Sequence, residues 1–203
     1  MAPCNRIARD IHDEIGSGLS KIALLSGGME RKYSANEELH KSSSRIQQLS
    51  RELIRSMGEI IWAVNPGNDS VSSLFAYLRA YLNQFSEETN IETQIELKAN
   101  HKEMLQYQLN PELKRNILMV TKESLNNIQK HSGATKVIFG LEVQSVAIRL
   151  LIQDNGKGIQ GKPEFNQGNG LKNMQKRTSE LKGKISIDEQ QGLRILLEIP
   201  LIV

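Results

Sequence analysis

At 203 residues, with 38% hydrophobic and 24% charged residues, the chain is long enough for one large domain or two small ones and apolar enough to fold around a core. One cysteine, Cys4, excludes an internal disulfide; aromatics at 4% and a net charge of +3 without a basic aromatic stripe or reader motif argue against nucleic acid as partner. No apolar run reaches the ~18 residues that span a bilayer and no secretory leader follows Met1, so a cytoplasmic location without membrane contact is expected. The chain opens almost inside a helix, which suggests a piece of a longer protein.

The first stretch, RIARDIHDEIGSGLS at residues 6–20, sets His12 beside Asp13 and Glu14. Imidazole is a nucleophile with an unperturbed pKa near ~6.5, and an adjacent carboxylate can fix its tautomer and stabilise charge on it. Alone the trio proves nothing, because it needs something to attack. Ile11, Ile15, Gly18, Ile22, Leu25 and Met29 alternate at spacings of four and three, the pattern of a helix packed along a seam. Ile46, Leu49, Leu53, Met57, Ile60 and Val64 repeat it, with a polar turn at residues 33–38 between. Asn65-Pro66-Gly67 ends the second helix, because proline breaks the hydrogen-bond ladder. Two helices bury too little surface alone, so pairing with a second copy into a four-helix bundle is expected.

A short helix over residues 72–85 follows, then a half-buried strand at 91–97. Pro111 opens a helix running to about residue 131. Residues 137–143 and 146–152 read as strands joined at Gln144-Ser145. Residues 157–170 form a polar, glycine-rich loop, 171–182 a helix, and 184–188 with 193–199 a closing strand pair. Hairpin connections outnumber helical crossovers, which predicts an α+β chain: a helical hairpin over 1–66, then an α/β sandwich over 67–203.

Three groups in the second half point to an anionic ligand. Glu123, Asn127, Lys130 and His131 share roughly one helix face, an oxygen-rich set with one ammonium that suits hydrated magnesium and phosphate, although such a face can also be merely solvated. Asp154-Asn155-Gly156-Lys157-Gly158 puts an acid at a strand end before two glycines, where it can accept from an exocyclic amine such as that of adenine; a tight turn is the plainer alternative. Gly168-Asn169-Gly170-Leu171 immediately precedes a helix, whose free N–H groups and dipole favour phosphate.

In order and spacing these pieces resemble the sensor histidine kinases, in the subfamily related to the nitrate sensors and the fatty-acid desaturase thermosensor, over essentially the whole chain. RIARDIHDEIGSGLS is similar to the phosphoacceptor helix, ESLNNIQKHS (123–132) to the N box, DNGKGI (154–159) to the G1 box and GNGLKNMQKR (168–177) to the G2 box. MGEIIWAVNP (57–66) is similar to members that follow large periplasmic sensor domains.

The resemblance implies a homodimer with a Bergerat-type ATP-binding domain, working with ATP and Mg2+. His12 would be phosphorylated from ATP and pass the phosphoryl group to an aspartate of a response-regulator receiver domain, the chain being the cytoplasmic part of a membrane-anchored sensor. Asp13 would act as base toward His12; Asn127 would ligate magnesium, with Glu123 acting through a metal-bound water and Lys130 touching phosphate. Asp154 would recognise adenine in a pocket shaped by Gly156 and Gly158, and Gly168, Gly170 and Leu171 would belong to an ATP lid. The Pro66-Gly67 break and the polar residues 68–70 are the expected hinge.

Two positions depart from the family pattern. Ser17 stands five residues after His12, where members with phosphatase activity carry glutamine or histidine, and Leu193 follows Gly192 where threonine is common. A different class remains open: a nucleotide-binding regulator of the same fold that captures a partner protein without phosphorylating itself, as anti-sigma factors do. The His12-Asp13 helix argues against that alternative.

Overall fold

The computed structural model describes residues 15–158, 169–189 and 192–201. His12, Asp13 and Gly168 lie outside the described residues. The chain divides into two compact units, Met1–Asn68 and Asp69–Val203.

The first unit is a hairpin of α1 (Ser17–Lys32) and α2 (Glu37–Val64). Asn36 caps α2, its side chain accepting from the Leu39 N–H at 3.1 Å, and Glu37 and Glu38 complement the positive helix end. The buried residues of the hairpin include Ser26, Gly27, Ser43 and Ser50. Of the heptad-stripe residues, Ile22, Leu25, Met29, Ile46, Leu49, Leu53 and Ile60 are exposed, whereas Met57 and Val64 are half-buried and Met57 lies against Gly16. Small residues therefore let the two helices approach, while the apolar stripes face outward. After α2 a 3₁₀ turn, Pro66–Asn68, closes back on the hairpin: Asn65 Oδ1 accepts from the Gly67 N–H, and the Asn68 side chain donates to the Trp62 carbonyl at 3.2 Å.

The second unit begins with α3 (Val71–Thr89), capped by Ser70, which accepts from the Ser73 N–H at 3.1 Å. It ends at Asn90 in the left-handed region, φ 58°. Then come β1 (Glu92–Ala99), a 3₁₀ turn (Lys102–Gln106) and α4 (Pro111–Asn127), which passes into a π-helical turn, Ile128–Ser132. Strands β2 (Lys136–Val143) and β3 (Ala147–Asp154) form a hairpin. Helix α5 (Asn169–Glu180) and strands β4 (Lys184–Glu189) and β5 (Leu193–Pro200) complete the unit. The sheet runs β1-β2-β3-β5-β4, with β1 parallel to β2 and the other pairs antiparallel. The one parallel pair is the one whose connection contains a helix, as parallel strands require.

Alternation gives the sheet one buried face. Val137, Phe139, Leu141, Ile148, Leu150, Ile152, Ile195 and Leu197 are buried, together with Leu74, Leu78 and Leu82 of α3 and Ile117, Leu118 and Leu125 of α4. Asp154 continues the inward register of β3 by one more step, which puts a carboxylate where the preceding inward positions are aliphatic. Among the described residues no helix is long and apolar enough to cross a membrane.

The division between the two units falls at Asn68/Asp69, within the residues expected to form the hinge, and its second-unit side is anchored. The Asp69 carbonyl accepts from the Leu109 N–H at 2.6 Å, Val71 N–H donates to the Tyr107 carbonyl, Ser70 bridges Gln108, and the Asp69 carboxylate pairs with the fully buried Lys114. Asp69 and Ser70 thus belong to the second unit, and Pro66–Asn68 to the first.

Candidate functional site

The site lies where β3, the π turn after α4 and the start of β5 converge. Asp154 is 2% exposed. Its Oδ1 accepts from the Gly156 N–H at 2.7 Å, and the Leu193 N–H stands near the carboxylate. Its Oδ2 is buried and has no hydrogen-bond partner. A buried carboxylate oxygen without a donor is costly, so it marks a place where a ligand's N–H belongs. Burial holds the Asp154 carboxyl above its ordinary value of 3.8, against the smaller lowering effect of the two N–H groups.

The turn around Asp154 is built so that only glycine fits. A Cβ on Gly156 would lie 2.5 Å from the Ser132 carbonyl oxygen and 2.9 Å from Asp154 Oδ1. Gly192 has φ +120° and a Cβ there would strike the Asp154 carbonyl, while Gly158 turns with φ +67°. Asn155 does not face a ligand; its Oδ1 accepts from the Thr135 and Lys136 N–H groups, both at 2.9 Å, and fastens the turn to the start of β2. The Lys157 N–H donates to the Ser132 carbonyl at 3.0 Å, joining the turn to the end of the π segment.

A small pocket opens beside the carboxylate, lined by Asn127, Ile128, His131, Ser132, Asp154, Gly158 and Leu193. It brings together Asn127, Asp154 and Gly158 from the sequence-predicted set. Glu123 is half-buried one turn before Asn127, and Gly170 packs against it so closely that a Cβ would overlap its carboxylate. Lys130 is exposed and does not line this pocket; Leu171 is half-buried on α5. Leu193 stands where the family resemblance implies a threonine hydroxyl near the nucleotide, whereas Ile128 and Ser132 were not foreseen as lining. Ser132 could have been, as the small residue before Gly133, whose φ of 65° ends the π turn. The larger cavity, about 170 Å³ between residues 107–113, 180–182 and 199–201, contains none of the predicted site residues.

Residues 5–69 match a family described as histidine kinase, and residues 113–203 match the histidine kinase-, DNA gyrase B- and HSP90-like ATPases. The chain belongs to the histidine kinases. It is 27% identical over 201 residues to the sensor histidine kinase YvfT of Bacillus subtilis, covering 97% of this chain and 50% of YvfT. Against the sensor histidine kinase DesK of the same organism it is 28% identical over 204 residues, 96% of this chain and 50% of DesK. The signal transduction histidine-protein kinase/phosphatase UhpB of Salmonella typhimurium is 26% identical over 96% of this chain and 38% of UhpB. This histidine kinase chain therefore spans about half or less of the length of these relatives. Among solved structures, Acinetobacter baumannii histidine kinase AdeS aligns with TM-score 0.57 at 18% identity, covering 93% of this chain and 97% of that one. The histidine kinase domain of an Erythrobacter litoralis blue-light activated kinase aligns with TM-score 0.55 at 16% identity, over 91% and 94%. Those two likenesses are of fold.

Proposed function

We propose that this chain is the catalytic core of a two-component sensor: it binds ATP beside Asp154, phosphorylates His12, and passes the phosphoryl group to an aspartate of a response-regulator receiver domain. The observation that carries the ATP reading is the buried, donor-less Oδ2 of Asp154 at the wall of a pocket that also contains Asn127. An exocyclic amine supplies the missing donor, and Gly156 and Gly158 keep the turn thin enough for a planar ring to approach. The first-turn N–H groups of α5, near Gly168, Gly170 and Leu171, suit the phosphates.

Mg2+ fits the oxygen donors at hand. Glu123 and Asn127 lie four residues apart on one face of α4, and two such oxygens leave room for the waters and phosphate oxygens that this hard cation prefers. When bound it would neutralise charge between the transferring and leaving phosphates. Asn127 would be its direct ligand and Glu123 would act through water, with Lys130 reaching phosphate from its exposed position.

In the transfer, His12 nitrogen forms a bond to the γ-phosphorus as the bond to the β-phosphate bridging oxygen breaks; ADP leaves and Asp13 takes the imidazole proton. The outward apolar stripes of α1 and α2 support a homodimeric four-helix bundle as the platform for His12. The two matched segments support reading residues 1–66 as a dimerisation and phosphoacceptor hairpin and 67–203 as an ATP-binding unit. Relatives named as sensors support placement as the cytoplasmic part of an anchored receptor.

Incubation with γ-labelled ATP and magnesium tests the proposal. Acid-labile label is expected on the wild type and lost in His12→Gln; no label at all would sink the kinase reading in favour of a silent nucleotide-binding regulator. Label that survives His12→Gln would sink the residue assignment.

A further inference from the structure

Helix α5 carries the glycine-rich segment at its start, and its far end is held by a contact of Arg177, the last residue of GNGLKNMQKR, to which the sequence reading gave no role. The Arg177 guanidinium donates to Asn116 Oδ1 at 3.1 Å; Arg177 is half-buried and Asn116 is 4% exposed. Between that contact and the helix start, Met174 is 1% exposed and its sulfur accepts from Ser124 Oγ at 3.6 Å. At the helix start Gly170 abuts the Glu123 carboxylate. The α5 positions Gly170 and Arg177 meet α4 at Glu123 and Asn116, so the two helices run antiparallel, with the Met174 side chain reaching back to Ser124 beside Glu123. Seven residues are about 10 Å of helix.

We infer that Arg177, through Asn116, is a positioning residue that sets where the N-terminus of α5 stands relative to Glu123 and Asn127, and so where the phosphates of the nucleotide are received. The geometry has the form of a lever. Gly170 offers no side chain and Met174 is a flexible, adaptable one, so neither fixes how far α5 slides along α4. The hydrogen bond between a planar guanidinium and a buried amide oxygen is directional and does fix it. A helix is stiff over two turns, so a slip at Arg177 reaches Gly170 undiminished. The inference rests on the ATP reading above and extends it to a residue outside the pocket.

Adenosine and ATP separate this role from a merely stabilising one, because only ATP uses the phosphate end of the site. The full 203-residue chain is titrated with each ligand while chemical shifts are followed, a readout that reaches millimolar affinities. Arg177→Met is expected to weaken ATP about tenfold, the loss of one charge-assisted hydrogen bond, and to leave adenosine within about twofold. Arg177→Lys, which keeps a donor, should recover part of the ATP loss. Should Arg177→Met fold poorly, Asn116→Leu removes the contact from the other side with the same expected pattern, while the near-isosteric Asn116→Asp keeps the acceptor and should bind ATP nearly as the wild type does. An equal loss for adenosine and ATP, or no loss for ATP, would overturn the positioning role. A wild type that binds adenosine but gains nothing from the phosphates would also overturn it, whereas a wild type that binds neither ligand would overturn the ATP reading itself.

Discussion

At the scale of single residues, Asp154 is in conflict between folding and function. Desolvation raises its pKa above the ordinary 3.8, so the folded protein holds the proton more readily than the unfolded chain. The sign follows: stability is greatest where both states are protonated and falls as pH rises from the ordinary carboxylate range through the raised value, with the cost constant above it. Asp154→Asn removes that cost. It is expected to melt at or above the wild-type temperature at neutral pH while losing at least about tenfold in ATP affinity, because one amide orientation offers a donor where the amine needs an acceptor. A calorimetric scan with an ATP titration checks both; unchanged affinity would remove the adenine role. Gly170 carries a second prediction. Alanine there must displace the Glu123 carboxylate, a side chain that can swing away, so Gly170→Ala should fold normally but lose phosphotransfer about 10²-fold, as misplaced catalytic groups do. Steady-state labelling rates and a thermal melt together decide it. The acid, the glycines and the amide of the site were legible because each is a residue type that its geometry demands. Ile128 was not, since an aliphatic residue in a pocket wall looks like any other core residue.

At the scale of elements, periodicity located the helices and strands but not where they end or what anchors the segments between them. The helix expected over 72–85 runs on to Thr89, where Thr89 Oγ1 bonds the Phe85 carbonyl and Asn90 supplies the left-handed cap; nothing in Ser-Glu-Glu-Thr breaks a helix. The helix expected to reach residue 131 changes to a π turn at Ile128, a local widening that no hydrophobic period reports. Asp69 and Ser70, read as part of the hinge, are anchored within the second unit by Lys114, Leu109 and Gln108, partners some 40 residues away in sequence that no local pattern reports. That contact makes its own prediction. Lys114 is fully buried and Asp69 is its carboxylate, so Asp69→Ala should cost about 3 kcal/mol, the usual penalty for stripping a buried cation of its counterion. Asp69→Ala/Lys114→Met should recover most of it. Urea denaturation of the second unit's transition measures both, and additive losses would show that the pair is not coupled.

At the scale of the whole molecule, the heptad stripes explain why the first unit is incomplete as a single copy. Their apolar residues do not fill the space between α1 and α2, where Ser26, Gly27, Ser43 and Ser50 are buried; Leu25 and Leu53 remain 69% and 54% exposed. A leucine taken from water is worth roughly 1.5–3 kcal/mol, so a continuous stripe along two helices is a strong drive to associate with another copy. Leu53→Glu would place a charge in that seam without touching the face between the hairpin's own helices. Leu24, 72% exposed but off the heptad register, gives the control. Sedimentation velocity should return twice 22.8 kDa for the wild type and for Leu24→Glu, and a monomer or a dimer weakened by ~100-fold or more for Leu53→Glu. The ATP-binding unit has its own buried core in the sheet, α3 and α4, so the monomeric variant should keep its nucleotide affinity. Loss of dimer by Leu24→Glu in place of Leu53→Glu would mean that the register read from the stripes is wrong.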